Sequence, residues 1–258
     1  MNTEALENYC KPVYEKAPSL IHRWGHIKRA AVGAKWFVKI LGGTKEEEEL
    51  SYVAGLLHDI VRPNTEKIDH AVASAEEAEK ILKKFGFAEE KIPLIVQCVR
   101  DHRKKPVQWE SILHKSVFLS DKILEQMGAY IVFRRVAYAG EIEDYKGMTA
   151  EEAIPIRWEN ALKKTEKKFF PESLFKIYEY QNKWQIDFIE EFKKKEEWAL
   201  NLGKELFKQG REGNKTLEQA IEEFNPVTEK GKEFKKEAID YMQGKKFIEF
   251  EKMILGGN

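Results

Sequence analysis

The sequence has few cysteines and no long apolar run. Its only cysteines are Cys10 and Cys98, which fit neither a disulfide framework nor a CxxC metal site. We expect both thiols to be reduced and structural. No apolar run approaches the roughly 20 residues of a membrane-spanning helix, and the first residues lack the basic start and apolar centre of a signal peptide. We therefore expect a cytoplasmic protein with no membrane partner.

An excess of charge of either sign is also missing. The 44 Lys and Arg residues balance the 44 Asp and Glu residues, so no global positive field favours nucleic acid. Any recognition of phosphate must therefore be local. The charged fraction is 34% and the hydrophobic fraction 42%, a composition typical of a folded globular protein rather than a disordered one.

Apolar residues recur at helical spacing from residue 19 onward, and the alternation typical of strands is scarce. The pattern predicts an all-α protein. The first helix ends at Gly42-Gly43, and the second starts at a Thr44/Glu47 capping box and breaks near Pro63. Further helices are predicted near 70–85, 88–104, 110–127, 129–140, 150–168, 171–197, 198–210, 216–224 and 228–242. We expect a first domain over residues 1–140 and a helical extension over 141–258 packed on it.

The apolar stretch "YVAGLLHDIV" is interrupted by His58 and Asp59. His26 and Asp121 are likewise in phase with apolar helix faces, and so is His102. Burying an isolated carboxylate is prohibitive unless it is paired or binds a metal. One divalent ion shared by His26, His58, Asp59 and Asp121 would satisfy these groups; alternatively, the aspartates reach water and the histidines bond carbonyl groups.

The order of these residues, in the contexts "HIKRA", "GLLHDI" and "FLSDKI", resembles the HD superfamily of metal-dependent phosphohydrolases over roughly residues 18–130. The resemblance implies an HD-domain helical bundle in which His26, His58, Asp59 and Asp121 ligate a divalent metal. Ala30 departs from the family pattern, which usually has a larger aliphatic residue there. No substrate-defining motif follows residue 140.

Some HD branches bind a second metal through two further histidines, and His70 and His102 stand at those positions. Diadenosine tetraphosphate hydrolases and cyclic dinucleotide phosphodiesterases of the superfamily look similar here. The resemblance then implies that Asp59 bridges two ions. In the one-metal alternative, His70 caps a helix and His102 orients the substrate. The mixed ligand set suits Mn, Fe, Co, Ni or Zn more than Mg alone.

Cations close to the proposed ligands are candidates for binding a substrate phosphate. These candidates are Arg29, Arg62, Arg103 and Lys122. Arg62 and Lys122 are the preferred pair and join Asp59 as catalytic candidates. Glu66 and Asp101 are candidates for the general acid, and Trp109 is a candidate substrate contact. Arg134 and Arg135 face either phosphate or solvent. We interpret His22 as a pocket-edge or packing residue and His114 as structural.

The sequence thus predicts a metal-dependent phosphohydrolase that cleaves a phosphomonoester, phosphoanhydride or phosphodiester bond of a nucleotide or other small phosphate ester by metal-activated hydroxide. Residues after 130 would complete the bundle and form a lid or the contact surface of a homodimer. One alternative is a single-strand nuclease with a groove formed by Arg103, Lys104 and Lys105. Another is a regulatory or binding protein that retains the metal without catalysis.

Overall fold

The computed structural model describes residues 3–62, 69–104, 111–126, 128–162 and 172–255. Throughout these ranges the regular secondary structure is helical, which confirms the predicted all-α class. None of the described helices is long and apolar enough to cross a membrane. The α-helices are α1 (Thr3–Glu15), α2 (Trp24–Ile40), α3 (Lys45–Leu57), α4 (His70–Lys84), α5 (Ile92–Asp101), α6 (Ile112–Lys122), α7 (Tyr130–Glu141), α8 (Ala150–Leu162), α9 (Phe175–Lys193), α10 (Glu197–Glu212), α11 (Leu217–Glu223), α12 (Glu229–Met242) and α13 (Lys246–Leu255).

Local sequence signals explain where the second and third helices end and begin. The chain leaves α2 through Gly42, whose φ of 80° lies in the left-handed region that favours glycine. Helix α3 begins with the predicted capping box: the Thr44 hydroxyl accepts from the Glu47 N–H, and the Glu47 carboxylate accepts from the Thr44 N–H. These two signals fix the register of α3, which His58 directly follows.

Two helices, α1 and α13, were not predicted. In α1 the residues Leu6, Cys10 and Tyr14 are buried at intervals of four, but Pro12 lies inside the helix and interrupts the usual helical signal. Both cysteines are free and buried, as predicted. Burial raises the pKa of each thiol to about 12, which keeps the thiols protonated and unreactive.

The chain forms two compact units. Unit 1 comprises residues 1–17 and 22–125, and unit 2 comprises residues 18–21 and 126–258. The compact units thus divide after Glu125, and the domain boundary after residue 140 stays a prediction. All six proposed metal ligands belong to unit 1.

Close packing of α2 against α3 sets the framework of unit 1. A Cβ atom on Gly55 would lie 2.6 Å from the Ala31 Cα, so the two helix backbones approach more closely than a larger residue would allow. Ile27, Val53 and Leu57 are fully buried around this crossing. Since His26 precedes Ile27 and His58 follows Leu57, the same packing brings the two histidines together.

In unit 2, α7 and α10 pack through Gly140 and Gly210. A Cβ on Gly210 would overlap the Ala137 carbonyl, and one on Gly140 would overlap the Phe207 carbonyl. We expect Gly210→Ala to lower the free energy of unfolding by about 1–3 kcal/mol, because overlap with backbone atoms forces the helices apart. Urea denaturation measures the change, with the exposed Lys208→Ala on the same helix as control. Equal stability of the two variants would contradict this packing.

Candidate metal centre

The proposed ligands come from the ends and buried faces of α2 to α6. His26 lies on the buried face of α2, and Asp121 lies near the end of α6. His58 and His102 directly follow the last residues of α3 and α5. Asp59 comes next after His58. All of these side chains are buried, whereas His70, the first residue of α4, is partly exposed.

His58 and His102 are held in the same way. Each Nδ1 lies 2.7 Å from the carbonyl oxygen three residues earlier, that of Gly55 or Val99. Because a carbonyl only accepts, each Nδ1 carries a proton, so in the neutral form of each ring the lone pair is on Nε2. Both lone pairs lie beside Asp59, with Nε2 of His58 3.6 Å from Oδ2 and Nε2 of His102 3.7 Å from Oδ1.

Asp59 is shared by two groups of potential ligands. The first group is His26, His58 and Asp59, and the second is Asp59, His70 and His102; within each group the ligand atoms lie within 4.8 Å of one another. His70 Nε2 is 3.3 Å from Asp59 Oδ1. The N-cap of α4 is Asp69, so His70 does not cap this helix as the one-metal alternative supposed.

Asp121 lies beside the first group. Its Oδ1 is 3.7 Å from His26 Nε2, and its Oδ2 is 2.5 Å from Lys122 Nζ. The structure therefore brings the four residues of the HD pattern together, with His70 and His102 on the other side of Asp59.

Unsatisfied polar atoms show that these residues fit a metal ion. His58 Nε2 and Asp59 Oδ1 are buried and have no hydrogen-bond partner among the described residues. Both atoms are lone-pair acceptors, and leaving them unpaired in the interior costs free energy. Divalent cations bound beside Asp59 would satisfy these atoms, and combined imidazole and carboxylate ligands are characteristic of transition-metal sites.

Electrostatics keep the carboxylates ionised. Burial by itself favours a protonated Asp59, but His58 and Arg62 outweigh it and hold the pKa well below its usual range. Burial acts on Asp121 in the same way, and there Lys122 and His58 hold the pKa well below its usual range. Both aspartates are thus charged at neutral pH, as metal binding requires.

The two histidines of the second group, His70 and His102, are neutral at neutral pH. Burial and the neighbouring His58 lower the pKa of His102 to about 3, although Asp59 partly opposes this. Burial also lowers the pKa of His70, again against the effect of Asp59. Neutral imidazoles offer the lone pairs that a metal binds.

Glu125 belongs to this centre and was missed by the sequence analysis. It is fully buried, and its Oε2 lies 2.9 Å from His26 Nδ1. A carboxylate at this position fixes the ring so that Nε2 faces the other ligands, as in many metal sites where a histidine donates its second N–H to an acid. The available signal was its spacing of four residues after Asp121 within the helix predicted over 110–127.

Arg29 is held by the same carboxylate. Its Nε lies 2.8 Å from Glu125 Oε1 and its Nη2 lies 3.3 Å from Oε2. Burial opposes ionisation of Glu125, but Arg29 and the hydrogen bond to His26 lower its pKa. Arg29, proposed from the sequence to bind phosphate, is therefore placed as the partner of Glu125.

The other three proposed phosphate-binding cations have two kinds of surroundings. Arg62 Nη1 lies 2.5 Å from Asp59 Oδ2, and Lys122 contacts Asp121, so both flank the cluster. Arg103 is exposed and pairs with Asp69 at 3.1 Å. Glu66, Lys105 and Trp109 lie outside the described residues.

The remaining candidates lie beside the cluster rather than within it. His22 is buried, and its ring centroid is 5.7 Å from that of His26, but it belongs to neither ligand group. His114 contacts the Ser111 hydroxyl at the start of α6 and lies 3.8 Å from Asp101. Asp101 also pairs with Lys104.

The HD domain family matches this chain over residues 23–125. The match spans the entire cluster, from His26 to Glu125. Residues 23–125 therefore form an HD domain, an all-α domain of a metal-dependent phosphohydrolase superfamily that binds divalent metals, which confirms the resemblance seen in the sequence. No solved structure matches the chain.

Proposed function

We propose that the protein is a metal-dependent phosphohydrolase that acts on a nucleotide or another small phosphate ester. The observation that carries the proposal is the position of Asp59 in two groups of three ligands. An ion with a purely structural role needs only one complete set of ligands. A carboxylate shared by two sets of ligands is the arrangement of two-metal hydrolytic sites. The bond cleaved would be a phosphomonoester, phosphoanhydride or phosphodiester.

The proposed ligands divide between two ions. The first ion would be held by His26, His58 and Asp121, and the second by His70 and His102. Asp59 would be a ligand of both ions. Divalent ions in such sites act as Lewis acids on phosphoryl oxygens and lower the pKa of water. The donor set suits Mn, Fe, Co, Ni or Zn, and Mg less well.

Arg62 and Lys122 are proposed to contact the substrate phosphate. Their side chains are 27% and 39% exposed, so both reach solvent while contacting buried carboxylates. A cation in this position attracts an anionic substrate and remains able to change partner when a phosphate arrives. Arg29 is less suited to this role because it is bonded to buried Glu125 through two nitrogens.

The nuclease alternative has less support. Of the three residues proposed for its groove, Arg103 pairs with Asp69 and Lys104 pairs with Asp101. Local acidic partners reduce the positive field that a nucleic-acid strand requires. The predicted homodimer and cytoplasmic location stay predictions.

Metal analysis followed by an activity screen tests the proposal. Purified protein is loaded with Mn, Co, Ni, Zn or Mg and assayed on a chromogenic phosphodiester, nucleotides, dinucleoside polyphosphates and single-stranded DNA. Turnover of a small ester supports the proposal, and cleavage of DNA alone supports the nuclease. Bound metal without any turnover supports a regulatory protein.

The number of ions is tested by His70→Ala and His102→Ala. We expect each substitution to reduce the metal content by about one equivalent, because it removes a ligand of the second group while leaving His26, His58 and Asp121 in place. Elemental analysis after gel filtration measures the stoichiometry. His114→Ala, which alters a histidine in neither group, serves as control. An unchanged metal content in both variants would favour a single ion.

A further inference from the structure

Unit 2 contains a cluster of three arginines that the proposed hydrolysis does not use. Arg134 and Arg135 lie on α7 and are only 6% and 3% exposed, and Arg157 lies on α8 and is partly buried. We refer to these three residues as the arginine cluster. Buried guanidinium groups normally pair with carboxylates, because an unpaired buried charge is strongly unfavourable.

None of the three arginines forms an ion pair with any residue that the structure describes. Arg135 donates instead to the neutral side-chain oxygens of Gln185 and Gln126. Its guanidinium carbon also lies 5.8 Å from the centre of the Trp158 ring. The Nε atoms of Arg134 and Arg157 are buried and have no hydrogen-bond partner in the described ranges.

The arginines also repel one another. Burial first, and then the charges of Arg157 and Arg134, lower the pKa of Arg135 to about 9. Burial likewise lowers the pKa of Arg157, with Arg134 adding to the effect. Arg135 nevertheless remains mainly charged at neutral pH, so the cluster concentrates positive charge in a poorly solvated place.

Glu141 is a described carboxylate that feels this charge: burial raises its pKa, and the charge of Arg134 partly opposes that effect. Glu141 accepts from the Ser19 hydroxyl and from the N–H groups of Leu20 and Ile21. It forms no ion pair with the described arginines. Among the residues that the structure describes, no carboxylate is therefore in direct contact with the cluster.

Further hydrogen-bonding groups without partners lie on the elements around the arginines. The amide oxygen and nitrogen of Gln181 and the indole nitrogen of Trp158 are buried, and no described residue forms a hydrogen bond with them. Gln181 precedes Gln185 by one turn of α9, and Gln185 donates back to its carbonyl oxygen. The Gln181 nitrogen and the Trp158 indole nitrogen are donors, whereas the Gln181 oxygen only accepts. The elements around the arginines thus combine positive charge with two unused donors, which an oxyanion could engage.

We propose that the arginine cluster binds a phosphate group, either as the free ion or carried by a small molecule. Guanidinium groups match phosphate oxygens in geometry and bind them through paired N–H donors. The partial exposure of Arg157 gives the anion an approach from solvent, and the indole of Trp158 and the amide of Gln181 supply neutral donors. This site goes beyond the proposed function and does not depend on it.

Isothermal titration of the metal-loaded 258-residue chain with inorganic phosphate and with AMP tests the site. We expect Arg135→Met and Arg157→Gln to raise the dissociation constant at least tenfold. Arg157→Gln changes a partly exposed residue, so it provides a test even if Arg135→Met does not fold. The exposed Lys208→Gln removes one positive charge from the same unit and is expected to leave binding unchanged.

Asp59→Asn separates this site from the metal centre. Phosphate binding that persists in Asp59→Asn and is lost in both arginine variants supports the proposal, even if the metal-centre activity proves absent. Tighter binding of AMP than of phosphate identifies a nucleotide as the source of the group, and equal binding identifies the free ion. No measurable binding to the wild-type protein, unchanged binding in both arginine variants, or loss in Asp59→Asn alone would overturn the proposal.

Discussion

Asp59→Asn is expected to remove both metal equivalents and to lower kcat/KM by at least about 10³, which corresponds to roughly 4 kcal/mol of transition-state stabilisation. Asp59 is the residue common to both ligand groups. The amide that replaces it carries no negative charge and offers one oxygen rather than two. A substitution in only one group should leave the other ion bound.

The measurement combines elemental analysis with kinetics on the best substrate from the screen. Glu48→Gln is the matched control. Like Asp59, Glu48 is a buried carboxylate of unit 1 that pairs with a cation, in this case Lys45. Unlike Asp59, it lies in neither ligand group. Circular dichroism of both variants verifies that they fold. If Asp59→Asn keeps its metal and its activity, the assignment of Asp59 as shared ligand is wrong.

The sequence was sufficient to predict the all-α class and the approach of the predicted ligands to one another. His58 and Asp59 interrupt an apolar helix whose start is set by the Thr44 capping box, so burial followed from helical phase. His26 precedes buried Ile27 on the preceding helix, α2. Such local signals are strong because they depend on periodicity and capping, which act within a few residues.

Other features depend on contacts between distant residues and could not be predicted. The pairing of Glu125 with His26 and Arg29 joins positions nearly a hundred residues apart. In the sequence, Arg29 looks like a phosphate-binding residue because it lies within one turn of a proposed ligand. Only the structure shows that its partner is the buried carboxylate of Glu125. Likewise, the sequence left the environment of Arg134 and Arg135 open between phosphate and solvent, whereas the structure buries both.

Removal of the buried Glu125 carboxylate is expected to have the second large effect, a loss of folding stability. We expect Glu125→Leu to lower the free energy of unfolding by about 3–5 kcal/mol, because it leaves the charge of Arg29 without its partner in a largely buried position. Arg29 is only 12% exposed and Glu125 is fully buried, so solvent compensates little. Chemical denaturation measures the loss.

Glu125→Gln separates the stability of the fold from the orientation of His26. The amide can still accept from His26 Nδ1 but has no charge, so we expect metal affinity to fall about 10- to 100-fold while the variant stays folded. Competition with a chelator measures the affinity. An affinity equal to that of the wild type would show that Glu125 does not position His26.

A double variant shows whether the cost of Glu125→Leu comes from the stranded arginine. We expect Arg29→Met with Glu125→Leu to recover most of the lost stability, because replacing both members of a buried pair by apolar groups is often neutral, whereas removing one is not. Metal affinity should stay low in the double variant, since His26 still lacks its acceptor. Recovery of stability without recovery of metal binding would assign two separate roles to one carboxylate: neutralising Arg29 and aiming His26.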